Sequence, residues 1–286
     1  MTPIVGAQVA PVQDAAPEGI IVRRLETLAE YEECCDIQRE TWGPDFTENV
    51  PVAILLVAQK IGGVTAGAFD RNGRMLGFVF GLTGVRDGRL VHWSDMLAVR
   101  EEARGHRLGA ILKQYQRREV RALGVETMLW TFDPLVARNA HLNINLLGAR
   151  AAEYVPDMYG SNTGSALHGA LATDRFIVAW DLADDAAPAR RLTGESSSTA
   201  PLLDPTRADG LPALVPLPDA DSVRVQVPAD VHGLDRETMA RWRDTTRGAF
   251  LAAFDHGFRV TGFDRGDTTR LPSYVLERSL DGSHRT

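Results

Sequence analysis

Arg104-Gly105-His106-Arg107-Leu108-Gly109-Ala110 is the stretch on which the reading of this chain turns. It follows a run with strand character (residues 90–99) and opens a run with helical character (residues 108–123) that ends at Gly124. A strand, a glycine-containing turn and a helix start leave unpaired backbone N–H groups at the positive end of a helix dipole. That combination is an anion site, and phosphate or pyrophosphate is its usual occupant. Arg100, Arg104 and Arg107 add fixed positive charge beside it. The turn is not a dinucleotide fingerprint, because its two glycines have the wrong spacing, and no Gly-Lys-Ser/Thr makes it a P-loop.

N-terminal to this turn, residues 64–69 and 75–82 read as strands around the hairpin signal Asn72-Gly73, and 91–99 as the third strand of that meander. Residues 20–23 make a first strand, and Thr27 with Glu30 forms a capping box for a helix to about residue 41. The helix after the anion turn carries Leu108, Ile111, Leu112, Tyr115 and Leu123 on one broad face. Residues 125–132 then complete a βαβ unit with a right-handed crossover. Another helix spans about 135–147 and stops at Gly148, with strands following at 150–155 and 175–182.

Residues 1–19 read as a loose Ala/Pro/Val leader. Residues 183–221, rich in Ala, Pro, Ser and Asp, read as a linker or long loop. Order returns in a strand at 222–227, a helix with Met239, Trp242, Phe250 and Phe254 at helical spacing, and strands at 258–263 and 273–277. This β-α-β-β extension (222–286) is small for independence and is expected to pack on the first domain (20–182) or on a partner subunit.

The chain carries 31 basic and 38 acidic side chains, a formal charge of −7 with no basic block, which argues against a nucleic-acid partner. Cys34 and Cys35 are adjacent and cannot staple distant segments, which points to a reducing setting. The apolar stretch 50–58 contains Pro51 and is far shorter than the ~20 residues of a membrane span. With no signal-peptide pattern at the start, the expectation is a cytoplasmic protein with no membrane partner. No Cys/His cluster has metal-ligand spacing, so no metal is expected, and a homodimer is the base-rate expectation for assembly.

The anion turn resembles the pyrophosphate loop of the GNAT acyl-CoA N-acyltransferases, whose core pattern is Arg/Gln-x-x-Gly-x-Gly/Ala. Arg104 and Gly109 fall on its first and last positions, and Arg107 stands at the middle glycine. The resemblance extends to a GNAT subgroup through Trp130-Thr131-Phe132-Asp133-Pro134-Leu135, then Arg138-Asn139-Ala140, Leu142-Asn143 and Leu147-Gly148-Ala149. Trp42-Gly43, Val50-Pro51, Gly62-Gly63-Val64, Tyr159-Gly160, Asp174-Arg175 and Trp180 fit the same subgroup. It covers about residues 20–182 and reaches faintly into the extension through Trp242-Arg243 and Gly257-Phe258.

The resemblance implies a mixed α/β GNAT fold with a C-terminal β-α-β-β extension. It also implies an acyl-CoA-dependent N-acyltransferase, using acetyl-CoA or succinyl-CoA on the amine of a small metabolite such as an amino acid. The pantetheine arm would enter where the strand before the turn splays from the next, pairing with the backbone of Met96, Leu97, Ala98 and Val99. The pyrophosphate would sit on Arg104, Gly105, His106, Arg107, Leu108, Gly109 and Ala110, and Asn139 and Asn143 would contact pantetheine or thiol. Two rivals stand beside this: a CoA-binding module without turnover, and a GNAT fold used for other acyl-CoA chemistry.

The resemblance implies that the amine attacks the thioester directly, so the chain would have to take a proton from the amine and see the thiolate protonated. Strand alternation puts His92, Ser94 and Met96 on one face, with Trp93 and Asp95 on the other. Asp95 is a candidate base or amine anchor, or else a surface carboxylate. His92 has a suitable reference pKa, or else is a structural histidine. Many GNAT enzymes carry an acidic tyrosine four residues before the glycine, where this chain has Ile144; His141 or Tyr154 are the substitutes, or water serves. Thr131, Asp133, Tyr154 and Arg175 are candidates for the acceptor side. Asp133 alternatively caps the next helix, and Arg175 alternatively forms a salt bridge with Asp174 or another neighbour.

Overall fold

Thr27 accepts the Glu30 N–H at 3.3 Å and the Glu30 carboxylate takes the Thr27 N–H, so helix α1 (Leu28–Trp42) starts where its capping box predicts. The computed structural model describes residues 17–160, 164, 172–183, 200–204 and 212–278. Residues 1–16 of the expected leader, 161–163 and 165–171 between the last two expected strands of the first domain, and 184–199 and 205–211 of the expected linker lie outside these. Two compact units divide the chain, one chiefly up to Leu129 and the other chiefly from Trp130 onward.

In the first unit, β1 (Ile21–Arg24), β2 (Val64–Phe69), β3 (Met75–Arg86) and β4 (Arg89–Val99) pair antiparallel in that order. β5 (Thr127–Phe132) joins β4 in parallel, so the sheet is mixed and the class is mixed α/β, as expected. Gly73 at φ +81° closes the predicted hairpin, with the Asp70 N–H donating to the Arg74 carbonyl at 3.0 Å. A second helix, α2 (Val52–Lys60), occupies what reads in the sequence as a short apolar stretch. Pro51 stands at its N-cap, where a missing N–H costs nothing. Helix α3 (Leu108–Arg121) follows the anion turn and packs on β2, β3 and β4.

Strand alternation fails at one point in β4. Met96 lies opposite Phe80 and Ser94 opposite Gly81, so Asp95 is an extra residue bulged out of the ladder. A one-residue insertion reverses the faces that follow it. His92 and Ser94 therefore face α3, whereas Met96 and Ala98 join Phe78 and Phe80 in the core beneath α1 and α2. The expectation that His92, Ser94 and Met96 share a face is corrected accordingly.

In the second unit, β7 (Arg175–Asp181) lies between β5 and β6 (Arg150–Val155). The helix expected at 135–147 is shorter and changes character: α4 (Ala137–Ala140) widens into a π-helix over His141–Leu146. The widening shows in the Leu147 N–H donating to the Leu142 carbonyl at 3.0 Å and the Ala149 N–H to Asn143 at 2.9 Å. The extension appears as β11 (Ser222–Gln226), α5 (Arg236–Asp255), β12 (Phe258–Asp264) and β13 (Ser273–Arg278). It is preceded by the short strands β8 (Ala200–Pro201), β9 (Leu203–Asp204) and β10 (Ala213–Leu214), which lie in the expected linker. The sheet order β12-β13-β11-β8 backs α5. Phe176 of β7 centres an aromatic core with Phe250 at 4.8 Å, Tyr274 at 5.3 Å and Tyr154 at 5.4 Å.

Candidate functional site

The parallel ladder between β4 and β5 consists of Val91–Thr127, His92–Met128 and Trp93–Leu129. From Ser94 on, among the described residues, β4 is laddered to β3 alone. The backbone of Met96, Leu97, Ala98 and Val99 thus has one edge outside the sheet ladder. The bulge puts Asp95 at the start of that edge, with its side chain exposed. Crowding by its surroundings raises the Asp95 carboxyl pKa, Glu48 adds to the rise, and the Trp93 side chain opposes it.

Past Val99 the chain makes a 3₁₀ turn (Glu101–Ala103) and then enters α3 through Arg107, whose φ of 59° is left-handed. Glycine favours this conformation, which gives the middle glycine of the resembled pattern a physical reason. No side chain caps the start of α3, so its first N–H groups and its dipole face an exposed turn. Arg104, Gly105, His106 and Arg107 are exposed, Leu108 is buried, and Gly109 and Ala110 are half-buried. Gly105 has a φ of +86° with open space around it, and Gly109 lies close to Leu97 of β4. These features suit a phosphate group held by backbone N–H groups and the Arg104 and Arg107 charges.

Arg100 does not join them. Its guanidinium binds Glu40 at 2.6 Å, with Glu33 at 3.4 Å and the Met75 carbonyl at 2.9 Å. This arginine fastens α1 to the sheet.

His92 is fully buried, with both ring nitrogens engaged. Gln116 Nε2 donates to Nε2 at 3.0 Å, which leaves the proton on Nδ1, 2.9 Å from the Thr83 hydroxyl. Burial, helped by Lys113, lowers its pKa to about 3. This environment suits a fixed neutral imidazole more than a base that exchanges protons.

The second unit gathers the candidates near the end of β5. Asp133 Oδ1 accepts the Leu135 N–H at 2.9 Å, the capping-type contact read from the sequence. Both of its oxygens also take Arg243 of α5, at 2.8 and 2.5 Å, and Arg175 lies 3.8 Å away. Burial pushes the Asp133 carboxyl up, but the Arg243 charge and hydrogen bonds, with Arg175, outweigh it and hold the pKa below its ordinary value.

Asp174 does not pair with the Arg175 side chain, which donates instead to the Asp174 backbone carbonyl at 2.9 Å. The Asp174 carboxylate takes Arg247 at 2.9 and 2.5 Å and the Tyr154 hydroxyl at 2.5 Å. Burial and the Asp174 charge push the Tyr154 phenol far up, so the proton stays on the phenol oxygen, which donates to Asp174. Arg175 also stacks over the Tyr159 ring at 5.5 Å, and the Tyr159 hydroxyl meets Thr131 Oγ1 at 3.1 Å.

On the π-helix, Asn143 is buried and accepts the Trp130 indole N–H at 3.0 Å, while Asn139 is half-buried on α4. Asn145 donates to His141 Nδ1 at 3.1 Å, which leaves the His141 proton on Nε2. Burial, with Arg265 nearby, lowers the His141 pKa. The first unit thus brings together Asp95, the β4 edge and the anion turn; the second brings together Thr131, Asp133, Tyr154 and Arg175. Arg243 and Arg247 escape a sequence reading, because only folding brings α5 to the aspartates. Among the described residues, no group of His, Cys, Asp or Glu is placed to hold a metal ion, and no helix is long and apolar enough to cross a membrane.

No family model matches the chain, and no curated protein matches it. Among solved structures it is similar to the ribosomal-protein-S18-alanine N-acetyltransferase from Escherichia coli, at 18% identity over 57% of this chain and 94% of that one, with a TM-score of 0.44. An N-acetyltransferase from Staphylococcus aureus Mu50 is similar at 14% identity over 57% and 98% of the two chains, with a TM-score of 0.46. An aminoglycoside 6'-acetyltransferase type Ii is similar at 14% identity over 57% and 97%, with a TM-score of 0.45. The fold described above rests on its own strand order and register.

Proposed function

We propose that this chain is a GNAT-type N-acyltransferase that moves an acyl group, acetyl or succinyl, from acyl-CoA to the amine of a small metabolite such as an amino acid. The observation that carries this reading is the end of the β4–β5 ladder at Trp93–Leu129, followed at once by the Asp95 bulge, a strand edge that among the described residues lies outside the ladder, and an uncapped helix start. A pantetheine arm would take the edge at Met96, Leu97, Ala98 and Val99, and its pyrophosphate would take the turn from Arg104 to Ala110. The amine nitrogen forms a bond to the thioester carbonyl carbon, the C–S bond breaks, and CoA leaves as thiolate. Asp95 accepts the amine proton directly or through a water, and its raised pKa suits that task. The thiolate, with a reference pKa near 8.5, takes its proton from solvent, because burial keeps His141 neutral and without an acidic proton to give.

Arg175, with Asp133 and Thr131, contributes to the acceptor side, and Asn139 and Asn143 to the pantetheine side. We place the protein in the cytoplasm, without nucleic-acid or membrane partners. One observation favours a second reading, a CoA-binding module without turnover: Ile144 has no proton to give, and Tyr154 is committed to Asp174.

The two are separated by thiol release from acetyl-CoA and succinyl-CoA across a panel of amino acids and small amines, alongside thermal melts with each donor. Transfer requires amine-dependent thiol release that falls by roughly 100-fold or more in Asp95→Asn. Melts that rise with CoA but show no thiol release would leave the binding module. The absence of both signals would remove both readings.

A further inference from the structure

A buried polar thread joins α3 to the sheet beside the bulge, and the reaction outlined above does not use it. Lys113 Nζ donates to Ser94 Oγ at 2.6 Å, and Ser94 Oγ donates to Gln116 Oε1 at 2.7 Å. Gln116 Nε2 donates to His92 Nε2 at 3.0 Å, and His92 Nδ1 donates to Thr83 Oγ1 at 2.9 Å. Thr83 Oγ1 in turn donates to the Gly62 carbonyl at 2.7 Å. Every direction is forced, because an amide nitrogen only donates and a carbonyl only accepts. His92, Ser94, Lys113 and Gln116 are each at most 4% exposed.

The backbone keeps room for this thread. A Cβ at Gly81, the residue opposite the bulge, would strike His92 Nε2 and lie 2.7 Å from Gln116 Nε2 and 2.6 Å from the Trp93 carbonyl. Glycine alone at this position lets the imidazole and the amide meet. The thread also discriminates between registers. An unbulged β4 would turn His92 and Ser94, or the residues beyond them, to the opposite face, and Gln116 would lose its partners inside the protein.

We propose that this thread is a positioning device that fixes the β4 bulge, making Lys113, Gln116, His92 and Thr83 positioning residues that set Asp95 at the end of the β4–β5 ladder. Its bearing on catalysis rests on the acyl-transfer reading; its bearing on the bulge does not.

The test uses the full chain. Side-chain ¹⁵N spectra of His92 should show a neutral Nδ1–H tautomer, and amide exchange at Ser94, Asp95 and Met96 in the wild-type chain sets the baseline for the variants. Thr83→Val and Ser94→Ala each cut the thread at a hydroxyl, whereas Thr83→Ser keeps it. The two cutting variants should mix the His92 tautomers and speed amide exchange at 94–96 by about tenfold, with Thr83→Ser unchanged. In acetyl transfer they should lose about tenfold or more in kcat with less than about a twofold change in KM for acetyl-CoA.

An Nε2–H or charged His92 in the wild-type chain overturns the proposal, and so does unaltered exchange at 94–96 in both cutting variants. If Ser94→Ala fails to fold, Thr83→Val, on a half-buried residue, decides alone. Wild-type protein that releases no thiol from any donor removes the acyl-transfer reading, and the exchange measurement still decides the thread. Altered exchange with an unchanged kcat keeps the bulge device and overturns its catalytic part.

Discussion

Asp95 shows what one residue does to a strand. Without it, β4 would alternate as the sequence suggests; with it, Ser94 faces α3 and Met96 faces the α1–α2 core. The bulge is invisible in the sequence because both faces of β4 are covered, so His92, Ser94, Met96 and Ala98 are buried whichever face each takes. The fixed state of His92 has a measurable consequence. Its folded pKa lies near 3, below an ordinary value of 6.5, so the unfolded chain binds the extra proton between these limits. Stability is therefore fully present above about pH 6.5 and is lost as pH falls toward 3, by about 1.4 kcal/mol per pH unit. Urea unfolding at pH 6.5 and pH 5 should show the wild type losing about 2 kcal/mol more than His92→Gln over that interval. Equal losses in the two proteins would mean that His92 titrates normally in the fold.

Among elements, those with a local signal were legible and those without one were not. The capping box at Thr27 and Glu30 and the turn at Asn72-Gly73 act over a few residues, and α1 and the β2–β3 hairpin follow them closely. The π-helix was not legible, because widening a turn leaves the apolar pattern of Leu142, Ile144 and Leu147 unchanged. Nor was the partnership of α5 with the aspartates. Arg243 reaches Asp133 across 110 positions and Arg247 reaches Asp174 across 73, and no periodicity encodes such a pairing. The two arginines stand one helical turn apart, so a single face of α5 serves both carboxylates. Arg243 and Asp133 are nearly buried, with 8% and 13% of their side chains exposed. Removing one partner strands a buried charge, so Arg243→Leu should cost about 3–5 kcal/mol in denaturant unfolding. Adding Asp133→Asn to Arg243→Leu should recover part of that loss, because the stranded charge is gone. A single-variant loss under about 1 kcal/mol would show the pair to be only marginally coupled to folding.

At the scale of the whole molecule, composition and core give different boundaries. The Ala/Pro/Ser/Asp-rich stretch 183–221 suggests that residues 222–286 are an appendage. The strand, turn and helix start around residues 99–108, by contrast, were legible in the sequence, because a strand, a glycine and a helix start lie within one short run. Within the second unit, however, the core draws on both sides of that stretch. Phe176 and Tyr154 pack on Phe250 and Tyr274, and the Tyr274 hydroxyl donates to the Pro134 carbonyl at 2.8 Å. A chain ending at residue 182 would keep Asp133, Tyr154, Asp174 and Phe176 but lose Arg243, Arg247, Phe250 and Tyr274, leaving two carboxylates and an aromatic surface uncovered. Burial of such aromatic side chains is worth about 3–5 kcal/mol each when truncated to alanine, a large share of the roughly 5–15 kcal/mol that holds a domain together. We therefore expect residues 20–182 alone to lack the near-ultraviolet aromatic signal of the full chain and to exchange the amides of β6 and β7 rapidly. Co-expression of 20–182 with 200–286 as a separate chain should restore both. A soluble 20–182 fragment that melts cooperatively near the full-length temperature would overturn this and return residues 222–286 to the status of an appendage.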